Sequence, residues 1–167
     1  QAGWIAFLTG LLLTAALALA LTVVLRRRSE LYRLVTERTV RLSESEWRYR
    51  TLFESSHDAM MTLAPPSWKF TSGNPATVRM FGAKDADEFT ALGPGDLSPE
   101  TQPDGRPSAD KATEMIETAL REGSHSFEWT HRRLDGQEFP CTVLLNRVDL
   151  AGRVFIQGTV RDITEQK

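Results

Sequence analysis

One cysteine, Cys141, is all the chain contains, so an internal disulfide is excluded and the composition suits a reducing compartment. Charge is missing altogether from Trp4 to Leu25, and proline and glycine are missing from Ser29 to Glu54. There is no nucleophile elbow, no phosphate-binding glycine loop and no metal-spaced Cys/His cluster, which removes the common enzyme constellations. Histidines number three, and His57, His125 and His131 fall near strand ends or on a strand, where they read as surface or edge residues rather than metal ligands. Basic surplus is lacking too. Outside the apolar run and the arginines behind it the chain is mildly acidic, which argues against a nucleic-acid-binding face.

What is present begins with that apolar run. A chain of 167 residues holds one compact domain and something more. The uncharged stretch Trp4–Leu25 exceeds the roughly 20 apolar residues a membrane-spanning helix needs. Arg26, Arg27 and Arg28 follow at once, a stop-transfer pattern that puts the C-terminal side in the cytoplasm. A signal peptide would carry its basic residues before a shorter core. The reading is a single inner-membrane span over residues 1–28. Because the chain begins with Gln1 rather than Met, a piece of a longer protein is expected.

Residues 29–48 read as a helical linker. Leu31, Val35, Arg38, Leu42, Ser45, Tyr49 and Leu52 alternate at steps of four and three, the seam spacing of a coiled coil. Tyr32, Val35, Thr39, Leu42, Glu46, Tyr49 and Phe53 fit a second register equally well. Each register carries two polar seam residues. A parallel dimer and a solvated amphipathic helix both remain open.

The globular part is expected over 49–167. Asp58–Leu63 and Lys69–Ser72 read as short strands. Asn74-Pro75 opens a helix to Phe81, with Asn as N-cap, Pro at the first helical position and Gly82 as the stop. Ala86–Leu92 is a second short helix, and Gly93–Pro107 is a loop. Ser108 is expected to cap a longer helix whose stripe is Ala112, Met115, Ile116, Ala119 and Leu120. Three strands follow. Phe127, Trp129 and His131 alternate before Asp135-Gly136; Phe139, Cys141, Val143 and Leu145 alternate before Gly152; Val154, Ile156, Gly158 and Val160 lead into Arg161–Lys167.

This element order, with Tyr49-Arg50-Thr51-Leu52-Phe53-Glu54, Asp58-Ala59-Met60, Asn74-Pro75-Ala76, Met80-Phe81-Gly82, Arg133-Leu134-Asp135-Gly136 and Val160-Arg161-Asp162-Ile163-Thr164, resembles the PAS sensor domain. The resemblance implies an α+β fold: a five-stranded antiparallel sheet with helices on one face, enclosing a pocket. It also implies sensing or dimerisation rather than catalysis. The linker wording around Thr36-Glu37-Arg38-Thr39 is similar to that of membrane-bound bacterial receptors. Their C-terminal output domain is usually a histidine kinase or a cyclic-di-GMP enzyme, and neither output's motif occurs here.

In that frame the pocket residues expected are Met60, Asn74, Met80, Phe81, Met115, Trp129 and Cys141. The covalent flavin-adduct helix of the family is missing, and the Ser108–Gly123 helix offers no histidine for haem. A non-covalent flavin, with Trp68, Trp129 and Asn74 as its contacts, or a small metabolite stays open. So does a pocket filled by the protein's own methionines. Asp162 and Thr164 resemble a hydrogen-bonded clasp at the signal exit, with Thr164 capping the outgoing helix. The expected function is a cytoplasmic sensory or relay domain of a transmembrane receptor, acting as a homodimer; the alternative is a ligand-free dimerisation module.

Overall fold

The computed structural model describes the backbone of residues 2–166, with side chains from 19 to 165 and at four positions before them. Helix α1 spans Ala2–Ser55, unbroken where proline and glycine are absent. More than half of the side chains of the Trp4–Leu25 run lie outside the described residues. Among the described residues no helix is long and apolar enough to cross a membrane. Two compact units divide the chain, Gln1–Tyr49 and Arg50–Lys167.

The second unit is built on five strands: β1 (Ala59–Ala64), β2 (Lys69–Gly73), β3 (Ser124–Arg132), β4 (Glu138–Leu150) and β5 (Arg153–Asp162). They pair antiparallel throughout in the spatial order β2-β1-β5-β4-β3. Between β2 and β3 the chain forms α2 (Pro75–Phe81), α3 (Ala86–Thr90) and α4 (Ser108–Glu122). The expected sheet with helices is present.

Strand alternation decides what is inside. Ala59, Met61 and Leu63 of β1, Trp129 and His131 of β3, Phe139, Cys141, Val143 and Leu145 of β4, and Ile156 and Val160 of β5 share one buried face. Onto it pack Phe81, Phe89, Leu97 and the α4 stripe of Ala112, Met115, Ile116, Ala119 and Leu120. Phe89 stacks on Phe70 at 4.5 Å between ring centres. Gly73 makes room for this, since a Cβ there would lie 2.8 Å from the Phe89 ring.

Helix starts follow local chemistry. Asn74 caps α2, accepting from the Thr77 amide, and Gly82 ends it at φ 72°. Asp85 caps α3, and Glu88 returns a bond to the Lys84 amide. Ser108 is not the cap expected of it. It is the first residue of α4, behind Pro107, and its hydroxyl accepts instead from Gln102 Nε2 at 2.8 Å.

Candidate functional site

Three places in the second unit carry chemistry: a cavity, the joint where α1 meets the sheet, and the joint where β5 ends. The cavity lies between the sheet's inner face and α4. It holds about 50 Å³, lined by Met61, Phe70, Met115, Phe127, Trp129, His131 and Gly158 among others. Cofactor and drug-sized ligand sites run to roughly 300–1,000 Å³. This space is therefore far smaller than a flavin or metabolite site, and such a ligand would need side chains that line it to move.

Met115 and Trp129 of the expected pocket residues line this cavity; the other five stand elsewhere. Met60 is corrected to Met61. In Ala59-Met60-Met61 a one-residue change of phase exchanges the two faces of a strand, and the fully buried Ala59 fixes the phase. Met80 packs at the edge of the core, and Phe81 is fully buried in it. Cys141 is also fully buried, its thiol donating to the Trp129 carbonyl at 3.3 Å. Burial, then the charge of Asp162, push that thiol up to about 12, so it stays protonated and unreactive. Trp68, on the turn before β2, packs against the core at φ 53°.

His131 was expected at the surface and is a core residue, 7% exposed. Its Nδ1 lies 2.8 Å from the Leu97 carbonyl and so carries the proton. Burial drives its pKa down to about 4, against the opposing pull of that carbonyl, and the ring is neutral. Trp129 donates from Nε1 to Ser98 Oγ at 3.1 Å. Gln102, 3% exposed, accepts from the Thr130 amide and donates to the Thr130 carbonyl. One side-chain amide thus pairs with β3 as a neighbouring strand would, and the Gly93–Pro107 loop closes over the inner face.

Asn74 is the entry joint. Its Oδ1 accepts from the Met60 amide, the Thr77 amide and the Thr77 hydroxyl; its Nδ2 donates to the Phe53 and Asp58 carbonyls. The Phe53 carbonyl lies in the last turn of α1, where a helix's acceptors take partners from outside it. Buried Asn74 therefore ties the end of α1 to β1 and to the start of α2. It holds no polar atom in reserve for a ligand.

Arg133 is the exit joint. It donates to the Met80 carbonyl at the end of α2 and to Asp162 Oδ2 at 2.9 Å, with its guanidinium 4.1 Å from the centre of the Phe139 ring. Asp162 Oδ1 accepts from the Thr164 amide and hydroxyl at 2.9 and 2.5 Å. Partial burial opposes ionisation of Asp162, but the Thr164 bonds and the Arg133 charge outweigh it and hold the carboxyl below its ordinary value. Asp162 closes an Asx turn onto Thr164, which opens a 3-10 turn over Thr164–Gln166. No local pattern marks Arg133 as a site residue, since its partner lies 29 positions away. Arg161 grips Asp58 with two bonds of 3.1 and 2.6 Å, locking the last strand to the first.

Among the described residues no three His, Cys, Asp or Glu side chains gather as a metal site. The family model described as "PAS domain" matches residues 57–165. Similar solved structures include the PAS domain of an HTR-like protein from Haloarcula marismortui, 23% identical over 77% of this chain and 99% of that one, TM-score 0.62. A PAS domain from a two-component sensor histidine kinase is 21% identical over 72% and 98%, TM-score 0.58. A domain of a sensory box sensor histidine kinase/response regulator from Geobacter sulfurreducens is 21% identical over 71% and 95%, TM-score 0.57. No curated protein matches.

Proposed function

The chain belongs to the PAS domain family, a family of sensory and non-catalytic domains, and we propose that this member relays a signal from the membrane side of a receptor to a C-terminal output domain. Residues 1–28 anchor the receptor in the inner membrane, residues 29–48 carry the signal, and the PAS domain receives it in the cytoplasm as a homodimer. The apolar run and its three arginines support the anchor. Likenesses to PAS domains of sensor histidine kinases favour a kinase output over a cyclic-di-GMP enzyme.

One observation carries the relay. Helix α2 is held at both ends by side chains that also hold the way in and the way out. Asn74 grips its first turn together with the Phe53 carbonyl of α1. Arg133 grips its Met80 carbonyl together with Asp162. A shift of α1 along its axis pulls on the Asn74 end of α2, and the Arg133 end passes the displacement to Asp162-Ile163-Thr164. Couplings of about 1–3 kcal/mol are enough for such a transfer.

The test uses the intact receptor. Inserting one residue into the linker rotates everything after it by about 100° and should change output activity. With Arg133→Ala in place the same insertion should leave output unchanged. Equal responses with and without Arg133 would sink the relay.

Ligand sensing is the second reading, favoured by the flexible Met61 and Met115 that line the cavity. An absorption spectrum and a native mass spectrum of the full chain decide it. A bound chromophore or added mass supports sensing; a mass equal to two bare chains supports relay.

A further inference from the structure

Met115 and His125 meet in a contact that neither joint uses. Met115 Sδ lies 3.2 Å from His125 Nε2, the thioether coming from the middle of α4 and the imidazole from the second residue of β3. Both side chains are half-buried. Phe127 covers one side of the imidazole, with ring centres 5.3 Å apart, and Met115 and Phe127 also line the cavity. An imidazole and a thioether thus converge on one point beside that space.

The pair is held by more than its own contact. Ten residues separate the two, and the turn between them at Gly123, φ 89°, is fixed twice from β4. The Arg147 amide donates to the Gly123 carbonyl at 2.8 Å, and its guanidinium donates to the Leu120 carbonyl at 3.0 Å. Ligands positioned by such outside support bind without reordering their scaffold.

Ligand chemistry selects the ion. Thioethers fall outside the Cys/His spacing that marks the common metal sites. Magnesium and calcium need oxygen ligands, and this pair supplies none. Structural zinc takes four ligands, and among the described residues no three His, Cys, Asp or Glu side chains cluster to provide such a set. Thioether sulfur with imidazole nitrogen suits copper(I). An ion in line between two donors at about 2 Å each separates them by about 4 Å. The contact therefore opens by about 1 Å, within reach of methionine's three rotatable bonds.

We propose that Met115 and His125 bind one copper(I) ion between α4 and β3. In the present contact His125 donates from Nε2, because a thioether only accepts. Binding moves that proton to Nδ1, gives the Nε2 lone pair to the ion and releases no net proton. The ion ties the helix over the inner face to the edge strand, and the side chain that moves is a wall of the cavity. The site is independent of the relay and of any organic ligand.

The full chain in detergent, titrated with silver(I) as a redox-inert stand-in and with copper(I) under a reductant, tests it by carbon-13 NMR of the methionine methyls. One equivalent of either ion should shift the Met115 methyl and leave those of Met60 and Met80 in place. Met115→Leu and His125→Gln should each weaken binding by more than the roughly tenfold that losing even an outer partner of a metal site costs. Cys141→Ser keeps a donor for the Trp129 carbonyl and should leave binding unchanged. A Met115 methyl that stays put at saturating silver(I) in the native chain would overturn the site, whatever the variants do. Silver(I) held equally well after either ligand is replaced, or lost with Cys141, would overturn it too. An equal shift of the Met115 methyl by zinc(II) would overturn the choice of a soft ion.

Discussion

Arg133 and Asp162 meet through Nη2 and Oδ2 at 2.9 Å across 29 residues of chain, on a carboxylate that also holds Thr164. Removing the cation by Arg133→Ala should raise the Asp162 pKa towards its ordinary value, read by carboxyl NMR titration. The sign is set by the depressed folded value. Asp162 contributes stability that is complete above its unfolded pKa of 3.8 and is lost as pH falls through the lower folded one. An unchanged titration in Arg133→Ala would mean that Thr164 alone holds the carboxylate.

His131 acts in the same direction at higher pH. Its pKa is 6.5 unfolded and about 4 folded, so the fold excludes the proton and the unfolded chain binds it. Stability is whole above about pH 6.5 and erodes as pH falls towards 4, by about 3 kcal/mol over that span. His131→Asn keeps an amide donor for the Leu97 carbonyl and removes the titration. Urea unfolding between pH 4 and 6.5 should lose most of its pH slope in that variant.

Asn74→Ala removes, at one buried site, the acceptor of the Met60 and Thr77 amides and the donor to the Phe53 carbonyl, while the Thr77 hydroxyl keeps the Met60 carbonyl and the Asp58 carbonyl keeps the Ser56 hydroxyl. Its cost at neutral pH should be about 3 kcal/mol in denaturant unfolding. Asn74→Asp restores the acceptor but sets an oxygen against the Phe53 and Asp58 carbonyls, so it should not recover the loss.

Gly73→Ala should cost about 1–3 kcal/mol, because the added methyl meets the Phe89 ring and the Thr77 methyl group at once. Phe89→Leu in the same chain should relieve part of that cost. A thermal melt of the two single variants and the double variant reads the coupling, and simple additivity would show that the clash is absorbed elsewhere.

Much of this was written locally. Asn74-Pro75 and Gly82 mark α2 because capping, a fixed φ and a positive φ are properties of single residues. The β3 alternation set His131 in phase with the buried Trp129, yet β3 lies at the sheet's edge, where a histidine reads as solvent-facing. Its ring packs against Phe81 of α2 and meets the Leu97 carbonyl from 34 residues away, and nothing near His131 announces either. Met60 and Met61 are chemically identical, and what tells them apart is phase: Met61 alternates with the buried Ala59 and Leu63, and Met60 with the half-buried Thr62. The space left over is a property of how fourteen residues fit together, and no single one signals that so little of it remains.

Gln102 leaves one last consequence. An unpaired outer strand is a template on which a stranger's chain can extend the sheet, and this is how many β proteins begin to polymerise. At β3 that template is partly used up, since Thr130 is bonded to Gln102 and the Arg132 amide to the Leu97 carbonyl. The sheet's other border is β2, five residues long and fronted by an exposed Lys69. Gln102→Ala should therefore do more than loosen a loop: it reopens the longer border, and thioflavin-positive assembly on mild heating is the outcome to watch for.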